Sequence, residues 1–191
     1  LLPFVDLAYT GLGDGLEADS YGLRYLASKC PELVVATSCS KNFGLYRERT
    51  GLVAALAKTP EDAQLCEAQI GLIMRRMISM PPDHGAAVVA HILTDSELRG
   101  RWEAEVADMR ERIKGLRQRL VQGLADNGAG DFRYMTVQRG MFSFLGLDVD
   151  QVARLRRDYS IYVVDSSRVN VAGLNDDCLD YVCSAIRDVC A

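Results

Sequence analysis

Two short apolar runs with a helical segment between them constrain this chain most. Leu2-Pro3-Phe4-Val5 is followed at once by Asp6, and Leu33-Val34-Val35-Ala36 runs straight into Thr37-Ser38-Cys39-Ser40-Lys41. Between them, Glu17 to Ser28 carries a helical pattern of apolar positions. Strand, helix and strand with joins this short predict parallel pairing, because the crossover helix returns the chain to the same end of the sheet. The first strand ends in a carboxylate followed by a glycine-rich turn, a common way to present a catalytic group in α/β folds. A third apolar run, Leu52 to Ala57, extends the layer. The first half therefore predicts an α/β layer around a mostly parallel sheet.

Helices take over afterwards. Thr59-Pro60-Glu61-Asp62 has a cap, a proline at the first helical position and acids in the first turn. Cys66, Ile70, Ile73 and Met77 then recur at helical spacing until Pro81-Pro82. Thr94-Asp95-Ser96-Glu97 has a capping-box pattern. It opens an apolar stripe through Leu98, Trp102, Val106, Met109, Ile113, Leu116, Leu120 and Leu124, closed by Asn127-Gly128. Such a helix, of roughly 28 residues and about 40 Å at 1.5 Å per residue, is long enough to leave one domain and enter another. Beyond it the pattern predicts strands at Phe132 to Val137 and Met141 to Leu145, then a helix from Asp148. Further strands are predicted at Ile161 to Val164 and Arg168 to Val171, and a closing helix from Asn175 to Cys190. This second stretch is a small α+β unit, which puts the domains at residues 1–105 and 106–191.

Composition narrows the function classes. With 49% hydrophobic and 25% charged residues, the chain belongs with soluble globular proteins and not with disordered ones. A formal charge of -4 gives no general field for nucleic acid, and no apolar run approaches the roughly 20 residues of a membrane helix. Arg110, Arg112, Lys114, Arg117 and Arg119 interleave with Glu103, Glu105, Asp108 and Glu111, the pattern of a solvated helix face. Gly11-Leu12-Gly13-Asp14-Gly15 lacks phosphate-loop spacing and holds an acid, so it reads as a turn. The six cysteines show no paired spacing and read as free buried thiols in a reducing compartment. His84 and His91 are too few for a metal site. The expected location is cytoplasmic, with a mitochondrial one open.

Ser38-Cys39-Ser40-Lys41 is the sharpest chemical signal, and it has three readings. It matches S-x-x-K, in which a lysine helps deprotonate a serine nucleophile, although the S-D-N and K-T-G partners are absent. A lysine directly after a buried strand can also be desolvated, which frees its amine to attack an aldehyde. In the third reading Lys41 merely snorkels from a strand end.

The surrounding segment decides among them. Residues 38 to 51, Ser-Cys-Ser-Lys-Asn-Phe-Gly-Leu-Tyr-Arg-Glu-Arg-Thr-Gly, resemble the coenzyme-lysine segment of class I aminotransferases, the aspartate and aromatic branch. Every fixed position of that family's S-x-S-K-N-F-G-L-Y-x-E-R-x-G pattern is filled. Asp6-Leu7-Ala8-Tyr9-Thr10-Gly11 resembles the family's D-x-A-Y-x-G, and Gly140 to Leu147 its G-M-F-S-F-x-G-L. Arg168-Val169-Asn170-Val171-Ala172-Gly173 resembles its R-[IV]-N-x-x-G. The resemblance covers the whole chain in order.

The resemblance implies reversible ping-pong transfer of an amino group between aspartate or glutamate and a 2-oxo acid, with aromatic amino acids as a second substrate class. It makes Lys41 the lysine that holds pyridoxal phosphate as an aldimine and moves the substrate proton. Asp6 would lie at the pyridine nitrogen, Tyr9 at the ring's 3′ oxygen, and Ser38 and Arg49 at the phosphate. Arg168 would pair with the substrate α-carboxylate in a pocket that includes Phe142. Counting back from Pro81-Pro82 assigns Arg75 to the substrate's distal carboxylate across a homodimer, with neighbouring Arg76 as the alternative. Ser79 would touch the coenzyme phosphate across the same dimer. Ser167 stands where the family usually has glycine. The family's chains extend considerably further at the amino end, which supplies the ring stacked on the coenzyme and more of the phosphate site. The chain thus resembles the carboxyl-terminal half of such an enzyme, joined in the whole protein to an amino-terminal half; the alternative is a non-catalytic dimerising fragment.

Overall fold

A computed structural model describes all 191 residues, which divide into two compact units. The first comprises Leu1–Gly11 and Gly15–Ala107, the second Leu12–Asp14 and Asp108–Ala191.

The first unit runs β1 (Phe4–Leu7), α1 (Leu16–Asp19), α2 (Tyr21–Lys29), β2 (Leu33–Ser38), β3 (Gly51–Leu56), α3 (Pro60–Ile78), α4 (His84–Thr94) and the start of α5 (Ser96–Asp126). β1 and β2 are parallel, with Asp6 opposite Ala36 and Leu7 opposite Thr37. β3 pairs antiparallel with the other edge of β2, Ser38 facing Gly51. The sheet in this chain is therefore mixed. The loop over residues 39–50 contains no helix to carry the chain back, so β3 re-enters from the end at which β2 left.

Local chemistry sets the helix ends. The single helix expected from Glu17 to Ser28 breaks at Ser20, whose hydroxyl donates back to the Leu16 carbonyl at 2.7 Å. α3 starts on Thr59, whose side chain accepts the Asp62 N–H at 3.1 Å. The cap of α5 is Asp95 and not Thr94. Asp95 Oδ1 accepts the N–H groups of Glu97 and Leu98 at 2.9 and 3.0 Å, while the Thr94 hydroxyl donates to the Ala90 carbonyl within α4. α4 itself fills a stretch for which the sequence pattern gave no element. The core of this unit is thin: Leu33 and Val106 are buried, but no residue of α3 is.

The second unit holds the rest of α5, then β4 (Phe142–Phe144), α6 (Val149–Tyr159), β5 (Arg168–Asn170) and α7 (Asp176–Cys190). β4 and β5 form an antiparallel pair. Its core gathers Ile113, Leu116, Leu120 and Leu124 from α5 with Val152 and Leu155 from α6 and Cys183, Ile186 and Val189 from α7. Capping boxes start α6 at Asp148 and α7 at Asn175.

Two expected strands are absent. Arg133–Val137 is a 3-10 turn that buries Phe132 and Met135, three residues apart, which is the period of that turn. Ile161 to Val164 stays irregular because Arg156 donates to the Val163 carbonyl at 2.9 Å and Ser167 N–H to the Val164 carbonyl at 2.8 Å. Nor is the basic run all solvated. Arg117 is buried, donating from Nε to the Ser143 hydroxyl at 3.0 Å and from Nη2 to the Gly140 carbonyl. The six cysteines are free, and only Cys183 is buried; burial pushes its thiol up to about 11. No helix is long and apolar enough to cross a membrane.

Candidate active site

Strand register gathers five of the candidate residues at one end of the first unit's sheet. Parallel pairing places the carboxyl ends of β1 and β2 side by side, so Asp6 and Tyr9 emerge beside Ser38 and Lys41. In open α/β sheets this is the edge at which ligands bind. Antiparallel β3 returns to the same edge: Cys39 N–H donates to the Thr50 carbonyl at 3.0 Å, which sets neighbouring Arg49 there too.

The amine of half-buried Lys41 sits against two phenol rings, 4.7 Å from the centroid of Tyr9 and 5.2 Å from that of Tyr46. Ser38 and Ser40 share a hydroxyl hydrogen bond of 2.9 Å, and Ser38 Oγ also accepts the Ser40 N–H at 3.1 Å. The Ser38 hydroxyl bonds to Ser40 and not to Lys41, which removes the geometry that a serine–lysine acyl-transfer pair requires. Arg49 holds a left-handed backbone at φ 53°, and its Nη1 donates to the Tyr46 carbonyl at 3.1 Å. Between the two serines, burial pushes the Cys39 thiol up.

No ion pair of the chain uses Asp6, Lys41, Arg49, Arg75 or Arg168. A carboxylate, an amine, a guanidinium and two hydroxyls thus face one edge without neutralising one another. That donor set suits a ligand carrying a carbonyl, a basic ring nitrogen and a phosphate. A hollow of about 330 Å³ between β3 and α3, and one of about 320 Å³ beside Arg117, include none of these residues. Exposed Asp6, Tyr9 and Arg49 make this edge an open ledge.

The other candidates lie elsewhere. Arg75 and Ser79 occupy the end of α3, where Ser79 caps the helix at φ 61° and its N–H donates to the Arg75 carbonyl at 2.9 Å. No hydrogen bond joins them to Asp6, Ser38, Lys41 or Arg49. Arg168 and Phe142 belong to the second unit, where the Arg168 guanidinium lies 4.7 Å from the Phe142 ring centroid. Sequence reasoning gave no role to Tyr46, Ser40, Asn42 or Trp102. Tyr46, Ser40 and Asn42 stood inside the quoted lysine motif, whereas Trp102 stood in the apolar stripe with nothing to mark it.

Known proteins share this fold. The chain is 50% identical over 192 residues to the aromatic-amino-acid aminotransferase of Pseudomonas aeruginosa, covering 100% of this chain and 48% of that protein. It is 48% identical over 189 residues to the aspartate aminotransferase of Haemophilus influenzae, covering 98% of this chain and 48% of that one. A crystal structure of the Burkholderia pseudomallei aromatic-amino-acid aminotransferase, covalently bound to pyridoxal phosphate, superposes with a TM-score of 0.95 at 40% identity. That match covers 100% of this chain and 48% of the other. The chain therefore spans about half the length of the curated relatives it matches. Residues 1–186 match the family described as "Aminotransferase class I and II", and the chain belongs to it.

Proposed function

We propose that this chain supplies the lysine-bearing half of a pyridoxal-phosphate-dependent aminotransferase subunit, which moves an amino group between an amino acid and a 2-oxo acid by a ping-pong mechanism. The preferred pair is aspartate or glutamate with its 2-oxo acid, and aromatic amino acids are a second class. The observation that carries the reading is the Lys41 amine, free of any counter-ion and set between the Tyr9 and Tyr46 rings at the carboxyl end of parallel strands.

The residues present fit the coenzyme. Lys41 would hold it through its amine, Asp6 at its ring nitrogen, Tyr9 at the ring's 3′ oxygen, and Ser38 with Arg49 at its phosphate. Ser79 would reach the phosphate across a homodimer. When bound, the coenzyme supplies an electron sink for negative charge developing at the amino acid's Cα. Asp6 keeps the proton on the ring nitrogen, because a carboxylate favours the cationic form beside it. The Lys41 amine, freed when the substrate's own amine takes its place, is the base that takes the substrate's Cα proton. Arg168 grips the α-carboxylate in a bidentate pair, with its guanidinium plane steadied against Phe142. Arg75 meets the distal carboxylate of a dicarboxylic substrate.

Turnover of aspartate with 2-oxoglutarate by the complete protein tests this. Lys41→Ala should lower kcat by about 10²–10⁴-fold or more, the usual worth of a positioned acid–base group. Undiminished turnover would overturn the assignment. Arg75→Leu should lower kcat/KM for aspartate by about two orders of magnitude while sparing aromatic substrates, since only the former leave a buried charge unpaired. Equal losses on both classes would transfer the role to Arg76.

A further inference from the structure

Lysine is a poor anchor for precise chemistry. Four rotatable bonds separate its amine from the backbone, so the amine can be no better placed than the loop that carries it. The Lys41 loop is held by a residue far away in sequence. Trp102, the seventh residue of α5, donates its indole N–H to the Asn42 carbonyl at 2.8 Å. The same indole stacks on Phe43, ring centroids 4.4 Å apart and planes 12° apart. Both residues that follow Lys41 are thus gripped by one side chain.

The grip extends to the other loop of the site. The Asn42 amide donates to the Thr10 carbonyl at 3.3 Å, and Thr10 is the residue after Tyr9. One turn on from Trp102, fully buried Val106 lies under Gly11, where a Cβ would come within 2.6 Å of Val106 Cγ1. α5 therefore holds the loop bearing Tyr9 and the loop bearing Lys41 against each other. The Asn42 side-chain oxygen is buried without a hydrogen-bond partner, so its tie to Thr10 alone orients that amide.

We propose that Trp102, acting through Asn42 and Phe43, is a positioning residue that sets where the Lys41 amine stands relative to the Tyr9 ring. The proposal rests on the reading of Lys41 as the coenzyme lysine. Tryptophan suits the task because it supplies both a flat face for Phe43 and a donor for the Asn42 carbonyl, and phenylalanine supplies only the first.

The test uses the complete coenzyme-loaded protein with Trp102→Phe, Trp102→Ala and Asn42→Ala. A displacement of about 1 Å at a reacting group costs on the order of 10²-fold, so Trp102→Ala should lower kcat by about 10- to 100-fold with KM for aspartate nearly unchanged. The pH midpoint of the coenzyme's visible absorbance should move by about half a pH unit as the amine's surroundings change. Trp102→Phe, which keeps the stack, should lose about a third of that effect in log units, by the same reasoning. In the coenzyme-free protein, amide hydrogen exchange over residues 40–46 should quicken about tenfold in all three variants, with α7 unaffected. Unchanged kcat, midpoint and local exchange in Trp102→Ala would overturn the proposal. If that variant fails to fold, Trp102→Phe and Asn42→Ala decide by the same readouts. Should the unaltered protein show no chromophore on Lys41, the function reading fails, and exchange in the coenzyme-free protein still judges the clamp.

Discussion

Backbone strain at single residues marks the candidate site. Four non-glycine residues adopt left-handed backbone: Arg49, Ser79, Ser160 and Ser167. Ser160 merely ends α6, but Arg49 and Ser79 are candidate phosphate ligands and Ser167 precedes Arg168. Such strain persists where surrounding structure imposes it, which is the habit of functional sites. The backbone at Ser167 is of the kind that suits glycine: φ is 64°, where a Cβ is unwelcome. Serine is tolerated because its buried hydroxyl accepts the Leu147 N–H at 2.9 Å. Ser167→Ala keeps the strain and orphans that N–H, so urea unfolding should show a loss of about 1–3 kcal/mol. Ser167→Gly orphans the same donor but relieves about 1 kcal/mol of strain, so it should be the milder change. Equal losses for the two variants would show that the left-handed backbone costs nothing here. Lys41, Asp6 and Arg49 were legible in sequence because each sits within a contiguous motif. Trp102 was not, because its partner Asn42 is sixty residues away and helical spacing alone marks an apolar stripe.

Secondary structure was legible where local signals act alone. The caps at Thr59, Asp148 and Asn175 start their helices as their sequences suggest. Failures came where a tertiary partner decides. The segment after Phe132 alternates like a strand, yet the two side chains it buries, Phe132 and Met135, are three residues apart. Two glycines of α5 make the same distinction measurable. A Cβ at Gly115 would meet nothing within 4 Å, so Gly115→Ala should stabilise the chain by about 0.5–1 kcal/mol through helix propensity alone. A Cβ at Gly123 would lie 2.7 Å from the Sγ of buried Cys183. There, overpacking of about 1–3 kcal/mol outweighs the propensity gain, and Gly123→Ala should lower the urea midpoint. A stabilising Gly123→Ala would mean that α5 and α7 are not packed as described.

The two units differ as whole bodies. The second buries side chains from all three of its helices, whereas the first leaves Leu65, Ile73 and Met77 of α3 exposed by 63%, 53% and 72%. Apolar surface of that kind marks an interface, and edge strand β1 offers unpaired backbone to a neighbour. On the proposed reading, the rest of a subunit and a second subunit cover it. Residues 1–191 alone should then bind pyridoxal phosphate weakly and turn over no aspartate, because losing two or three charge-assisted phosphate bonds, at about 1.5–3 kcal/mol each, weakens binding by several orders of magnitude. Turnover by this chain alone at a rate comparable to the complete protein would show that its ledge is already a finished site. The central claim concerns one amine, and it can be read directly by borohydride reduction of the coenzyme-loaded complete protein followed by peptide mapping. The account predicts the pyridoxyl group on Lys41; a label on Lys29, Lys58 or Lys114 in its place would contradict it.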